Sequence, residues 1–554
     1  MPASSPAFPL TATDNQSLGR LRSAARSGIW SANGRAWLVV GLVAIAFLTA
    51  SLLRTINLPW VEEDNVFGAA YAQAAANNLR AGLAATAGVP ATLYVGALPI
   101  PPDAYYVHHP VLVPLLVTAS VALLGEKEWA VKLVPILCSI LSAILLWFLA
   151  EEAMGKRAAA FAVAFFATLP MELHYGDLVD FEPSLVMWML AALVCLRRWD
   201  VRRTSRWAVL VALSCLGALW TDWPGYLFTA ALATWLLLTK EKRSRRLAAL
   251  IGALALGSAI LFLLQIRHVN PEAWRDLRTA VTMRLGNGIQ PGSSASGGGA
   301  TLHFSSAQWL RRIFQALDQN YLRVSWLFVL AGAVHLFRHR KSAGPHWTGW
   351  AVLLMAAAGI PYLVILRNWS FVHDFASFSV IGSIAILGGL GIEAIWQWIE
   401  ARAGSPRIAA VALALLLPSL AWAGFRRAEE QRSPFLILNG PAYEPAILIP
   451  DLGRYLAANF PPDTTILCNF DPYYSPLSYY AKRTVLRNLT TPAEWDFAVA
   501  NERGNVGGIL WRDAPSTPEI MALLPSEEIS AIEIDGITFA VWRGKAPGAS
   551  DSAR

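Results

Sequence analysis

Hydrophobic residues in this chain fall into long runs instead of alternating with polar ones. The first run extends from Trp37 to about Leu53, and others occupy 131–150, 157–173, 183–197, 207–221, 225–239, 247–266, 322–337, 347–366, 377–398 and 406–424. A bilayer-crossing helix needs about 20 mostly apolar residues, so the pattern predicts an α-helical polytopic membrane protein with about eleven transmembrane helices. The stretch Val111–Leu124, at about 14 residues, is short for a span and reads as an interfacial or re-entrant segment. Basic clusters support that choice. With Val111–Leu124 not crossing, Gly155-Lys156-Arg157, Arg197–Arg206, Lys240–Arg246, Arg338–Lys341 and Arg402–Arg407 all fall on the side of the N-terminal Arg20, Arg22, Arg26 and Arg35. That is the cytoplasmic side by the positive-inside rule. Arg426-Arg427 is the exception.

Beyond residue 425 the pattern changes. Thr465–Phe470, Gly507–Trp511 and Ile529–Trp542 read as strands, and Leu452–Ala458 and Pro515–Leu523 as helices. The expected organisation is a disordered cytoplasmic N-terminus over 1–35, a membrane domain over 36–425 with outer loops 57–130 and 267–321, and a small α/β extracytoplasmic domain over 426–554. The long loop carries helical patterns near 271–285 and 305–318. The Gly/Ser-rich segment 286–299 between them reads as either a linker or a lid.

Composition narrows the class. With 55% hydrophobic and only 15% charged residues, the chain is too apolar for a soluble domain. The net charge of +7 sits in short inter-span clusters, so it points to loops at a membrane and not to nucleic acid. Cys138, Cys195, Cys215 and Cys468 have neither disulfide-framework nor zinc-site spacing. The first span shows no cleavage-site pattern and reads as a retained signal anchor.

Candidate chemistry gathers on the expected outer side. Glu62-Glu63-Asp64 follows the first span and precedes Val66–Arg80, which reads as a short helix. A second acidic cluster, Asp177, Asp180 and Glu182, lies between two spans, with Pro183 suited to the first turn of the next helix. Carboxylates at a membrane face are either solvated ends or site residues. Two clusters on one face suit a base paired with a positioning or metal-holding group. His108-His109-Pro110 offers donors to a phosphate or ligands to a metal. Lys132, Arg284 and His373 are further groups that could meet a phosphate. The tyrosine pairs Tyr473-Tyr474 and Tyr479-Tyr480 either line a sugar or peptide surface or simply pack.

In its order of one span, acidic motif with helix, His-Pro, further acid, many spans and an outer tail, the chain resembles the polyprenyl-phosphate-dependent GT-C-fold glycosyltransferases. Among these it looks like the protein O-mannosyltransferase-like enzymes and the aminoarabinose transferase of lipid A, a glycosyltransferase family 39-like pattern. The resemblance covers roughly 36–425 and is clearest at Trp60–Gly82, His108–Lys132 and Gly176–Pro183. Tyr71-Ala72 and Leu79…Gly82 match the family's helix after its acidic pair. His109-Pro110 stands where relatives have a basic residue or His before Pro, and Glu182-Pro183 where the transferase has Asp-Pro. The acidic motif lies about three residues further from Tyr71 than in the commonest family pattern.

The resemblance implies a sugar donor linked to a polyprenyl phosphate, presented at the outer face of a bacterial inner membrane, and inversion at the anomeric centre. It implies transfer to an envelope lipid, glycan or protein. Asp64 is the expected base, with Glu63 as its rival. Asp180 and Glu182 would orient the acceptor or hold a divalent metal ion. His108, His109, Lys132, Arg284 and His373 are the expected donor-phosphate groups. The competing class is a transporter or flippase of lipid-linked saccharides. Such proteins place charges near the bilayer midplane on broken helices, often with internal repeats, and neither feature is visible in this sequence.

Overall fold

The structure, a computed structural model, describes residues 32–61, 65–92, 94–239, 241–286, 288–289, 302–432, 436–439, 442–445, 449–470, 474–501 and 505–545. The expected disordered start, the acids Glu62–Asp64 and most of the Gly/Ser-rich segment lie outside them.

The apolar runs form helices. Those used below are α1 (Ala32–Leu53), α2 (Asn65–Ala81), α3 (Leu112–Leu124), α4 (Glu128–Met154), α5 (Lys156–Thr168), α6 (Pro170–Tyr175), α7 (Phe181–Arg202), α8 (Ser205–Thr221), α9 (Trp223–Leu238), α10 (Lys242–Val269), α11 (Ala273–Leu285), α12 (Ser306–Tyr321), α13 (Ser325–Arg338), α14 (Ala343–Ile365), α15 (Arg367–Val372), α16 (Ile381–Ala403) and α17 (Pro406–Gln431). Among the described residues six helical segments are long and apolar enough to cross a membrane, or seven if α12 and α13, bent by 93°, count as one. The other expected spans fall on α5 with α6, α7, α8 and α9, of which α5, α8 and α9 are shorter helices. Val111–Leu124 forms the short helix α3, packed on α2 and α4. The long-loop patterns become α11 and α12, with the two-residue antiparallel strands β1 (Gly288–Ile289) and β2 (Leu302–His303) between them in sequence. Ser305 and Gln308 close a capping box at the start of α12.

The core of the membrane part is centred on α5, which packs against α1, α4 and α16. Ala159, Phe161, Val163, Phe165, Phe166 and Ala167 of α5 are essentially inaccessible. Small residues let backbones approach, which is how helices associate without a hydrophobic gradient between protein and lipid. The pair α13 and α16 is the tightest case. A Cβ on Gly391 would lie 1.9 Å from the Phe328 carbonyl oxygen, and one on Gly332 would lie 1.9 Å from that of Leu387. Gly391→Ala therefore forces two backbones apart. A loss of about 3 kcal/mol is expected, read as a lower thermal midpoint in detergent, whereas Gly252→Ala, with open space around it, should be neutral.

Polar groups sort to the two ends of the helices. One end carries arginines paired with acids: Arg157 with Glu393 at 2.6 Å, Arg198 with Glu152 at 2.8 Å and Arg203 with Asp200 at 2.8 Å. The other end carries Asp177, Asp180 and Glu182 and the tail. Arg426 and Arg427, exceptions to the charge rule, lie in the last turns of α17 beside Glu430, at 3.9 and 3.4 Å. Their charge is matched locally.

The tail contains a hairpin, β3 (Leu436–Asn439) with β4 (Ala442–Pro445), and a five-stranded sheet. Its strands are β5 (Thr465–Cys468), β6 (Val485–Leu486), β7 (Asn505–Trp511), β8 (Ile529–Ile534) and β9 (Ile537–Lys545), in the order β6-β5-β7-β9-β8. β6, β5 and β7 are parallel, with Ile466 opposite both Val485 and Gly507. The crossovers are α19 (Tyr474–Ala481) and α20 (Pro492–Asn501), after the opening helix α18 (Ile449–Asn459). The expected strand Ile529–Trp542 is two strands, turned at Asp535-Gly536, both with positive φ. Fully buried β5 is flanked on both sides, as an inner parallel strand must be. All four cysteines are free thiols.

Candidate active site

Two acids begin helices that converge on one place. Asp180 precedes α7 and Asp222 precedes α9, and neither side chain caps its own helix. Pro183 and Pro224 fit the first turns, which need no donor there. The carboxylates turn instead toward the loop carrying Tyr106, His108 and His109.

His109 is buried and flat against Phe181, with ring centroids 4.4 Å apart and planes 13° apart, and it also stacks on Tyr106. Its Nδ1 lies 2.7 Å from Asp222 Oδ1 and its Nε2 lies 3.3 Å from Arg284 Nη2. A guanidinium can only donate, so Nε2 accepts and Nδ1 carries the proton toward Asp222. His109 is therefore neutral. Burial holds its pKa below the ordinary value against the pull of Asp222, and Arg284 adds to the depression. Arg284 also donates to the Tyr106 hydroxyl at 3.3 Å. Half-buried His108 is fixed through its carbonyl, which accepts from Trp223 Nε1 at 2.9 Å. Burial, then Arg284 and His109, push the His108 pKa down to about 3.

Asp180 closes the arrangement. The Tyr71 hydroxyl and the Phe181 amide lie near enough to favour its charged form, while its Oδ1 has no hydrogen-bond partner among the described residues. Burial raises its carboxyl pKa well above the usual range, and the neighbouring Asp222 raises it further. Glu182, buried in the first turn of α7, and Asp222 are near enough for their charges to act on the phenols of Tyr71 and Tyr362. The Tyr362 hydroxyl is buried without a hydrogen-bond partner among the described residues. The result is a half-buried cation, Arg284, fixed by neutral partners and set among carboxyls and phenols.

Lys132 lies in a second cluster. Its ammonium donates to the carbonyls of Thr55 (3.0 Å) and Leu58 (3.4 Å), in the turn that leads to Glu62–Asp64. Asp177 accepts from Thr55 Oγ1 at 2.6 Å and faces Arg432 at 3.6 Å. Burial raises the Asp177 carboxyl, but Arg432 and Lys132 outweigh it and hold the pKa below the usual value. His373 lies apart, against Phe67 of α2, Trp369 and Phe375. The structure thus brings together Asp180, Glu182, His108, His109 and Arg284, and puts Lys132 and His373 beside the ends of the acidic run. Glu63 and Asp64 themselves lie outside the described residues. Among the described residues no group of three or more His, Cys, Asp or Glu is arranged to hold a metal ion.

Sequence reasoning missed Asp222, Tyr71, Tyr106 and Tyr362. Asp222 had a signal: like Asp180 it is an acid just ahead of a helix-starting proline, on the same expected side.

Comparison with known proteins gives the fold its relatives. Residues 108–266 match the family model described as dolichyl-phosphate-mannose-protein mannosyltransferase. The undecaprenyl phosphate-alpha-4-amino-4-deoxy-L-arabinose arabinosyl transferase of Edwardsiella ictaluri (strain 93-146) is 28% identical over 166 residues. That match spans 28% of this chain and 29% of the relative's length. In structure, ArnT from Cupriavidus metallidurans bound to undecaprenyl phosphate superposes with a TM-score of 0.61 at 15% identity, covering 92% of this chain and 98% of that one. The archaeal oligosaccharyltransferase AglB from Archaeoglobus fulgidus, in complex with an inhibitory peptide and a dolichol-phosphate, gives 0.54 at 14% identity, covering 85% and 69%. The resemblance to the GT-C glycosyltransferases is thereby shown: for residues 108–266 in the pattern of the mannosyltransferase family, and for the chain as a whole in the ArnT-like fold.

Proposed function

We propose that this chain is a membrane glycosyltransferase that moves a sugar from a polyprenyl-phosphate donor to an acceptor hydroxyl or amine on a cell-envelope lipid, glycan or protein. The observation that carries the reading is the half-buried Arg284, held by neutral His109 and Tyr106 at the helix ends where the acidic residues gather. The acceptor heteroatom attacks the anomeric carbon while the bond from that carbon to the phosphate oxygen breaks. The leaving lipid phosphate gains negative charge, which Arg284 and the Tyr362 hydroxyl are placed to stabilise. A carboxylate must take the acceptor's proton, and Asp64 is assigned that role with Glu63 as the alternative. Asp180 and Glu182 orient the acceptor. A single displacement inverts the anomeric centre. The N-terminus is cytoplasmic and the tail lies outside a bacterial inner membrane, an orientation supported by the arginine-rich ends opposite the site.

The transporter reading is disfavoured because the site's charges stand at helix ends beside a folded domain, not on broken helices in mid-membrane. One experiment separates the two. Purified protein is incubated with a synthetic polyprenyl-phospho-sugar and a panel of envelope acceptors. The reading predicts free polyprenyl phosphate and a product of inverted anomeric configuration by NMR. Donor binding without cleavage, with flipping of the intact donor in vesicles, would replace the enzyme by the transporter.

A further inference from the structure

We propose that the tail domain is a positioning clamp for Trp60 and the start of α2, which flank the acidic run in sequence, and that Tyr480 is the residue through which it acts. The inference rests on the functional reading above only in giving the acidic run a catalytic purpose.

Trp60 stands two residues before Glu62 and is wholly buried. Its backbone N–H donates to the Tyr480 hydroxyl at 2.9 Å, and that hydroxyl donates to Glu128 Oε1 at 2.9 Å. The indole meets the edge of Tyr479 at 6.2 Å, with Lys132 Nζ 5.2 Å from its centre. On a further side it lies against α2, where a Cβ on Gly68 would come within 2.3 Å of it. Trp60, just before the acids, and α2, just after them, are thus both seated on α19 of the tail. Val66 of α2 also packs against the tail's core. The same apolar cluster joins Tyr479 to Tyr71, whose phenol lies within electrostatic reach of Asp180, and to Phe181, which stacks on His109.

The chemistry singles out Tyr480. Its hydroxyl is at once the acceptor for a part-buried amide and the donor to a carboxylate, and phenylalanine can do neither. Removing it leaves the Trp60 N–H without its partner. Docking has other supports that do not touch Trp60. Lys482 pairs with Glu126 near the surface, and Val95 N–H donates to Thr484 Oγ1 at 3.1 Å. Simple adhesion between domains and control of Trp60 can therefore be separated.

The test uses full-length protein in detergent, as wild type, Tyr480→Phe and Lys482→Met, with donor-cleavage kinetics and hydrogen–deuterium exchange. For Tyr480→Phe the clamp predicts a fall in kcat of about 10- to 100-fold, with KM for the donor within about twofold. Exchange over residues 57–70 should quicken while the tail strands β5 and β7 stay protected, and Lys482→Met should change none of these. Unchanged kcat and unchanged exchange at 57–70 in Tyr480→Phe would overturn the proposal. So would equal losses in both variants with exchange spreading through the tail, which is what adhesion alone gives. If wild type does not cleave the donor, the functional reading fails, and exchange at 57–70 still decides the clamp.

Discussion

Arg284→Gln lowers kcat/KM for donor cleavage by about 100- to 1,000-fold. The guanidinium is half-buried beside the neutral His109 and Tyr106, so no neighbouring charge there cancels it and solvent screens it less than at an open surface. Glutamine keeps much of the volume and some hydrogen bonding but no charge. Lysine should recover only part of the loss, because a single ammonium cannot hold His109, Tyr106 and a phosphate in the arginine's planar geometry. Asp222→Asn is expected to give a smaller loss in the same direction. Its carboxylate sets which nitrogen of His109 carries the proton, and an amide that presents its NH2 group would favour the tautomer that repels Arg284. Steady-state kinetics of polyprenyl phosphate release, with circular dichroism to confirm folding, would check both variants. Full activity in Arg284→Gln would remove this cluster from the reaction.

Asp180→Asn should separate activity from stability. Donor transfer is expected to fall at least about 100-fold, since an amide cannot take up or share the proton that a carboxyl handles in orienting an acceptor. Stability should move the other way at pH 7–8. The folded-state pKa is raised by burial and by Asp222, so the fold binds this proton more tightly than the unfolded chain does. Stability from that proton is present at acid pH and is lost as pH rises from about 3.9, the unfolded value, through the raised folded value. Asparagine removes the dependence. The variant should be more stable than wild type at pH 8, with the difference shrinking as pH falls toward 4. Thermal midpoints measured across pH in one detergent would show it. A variant less stable than wild type at pH 8 would mean that Asp180 is a structural acceptor for Tyr71.

How much of this was legible in the sequence depended on the range of the cause. Hydrophobic run length is local, so the long spans, the short helix at Val111–Leu124 and the helices α11 and α12 could be read directly. Strand Ile529–Trp542 was merged because its turn, Asp535-Gly536, is short and its flanks are equally apolar. α19 was missed because its face is written in tyrosines and serines, which read as surface until Trp60 covers them. His108-His109 and Asp180 were expected only to share one side of the membrane, not to meet. Asp222 was not anticipated, because a single acid between apolar runs has the same sequence signature whether it is solvated or buried against a histidine. Lys132 shows the converse. Its rarity inside a span signalled a role, but only the fold shows that it holds the carbonyls of Thr55 and Leu58.

The central claim is that an acid in the run 62–64 drives displacement of a lipid phosphate whose charge the Arg284 cluster receives. Its most direct test is single-turnover cleavage of a polyprenyl-phospho-sugar by wild type and by Asp64→Asn and Glu63→Gln, with donor affinity measured in parallel. The account predicts that one of the two variants, Asp64→Asn first, loses about 1,000-fold or more in the cleavage rate while binding the donor as wild type does. Wild-type rates in both variants, or loss of donor binding with the cleavage rate intact, would contradict it.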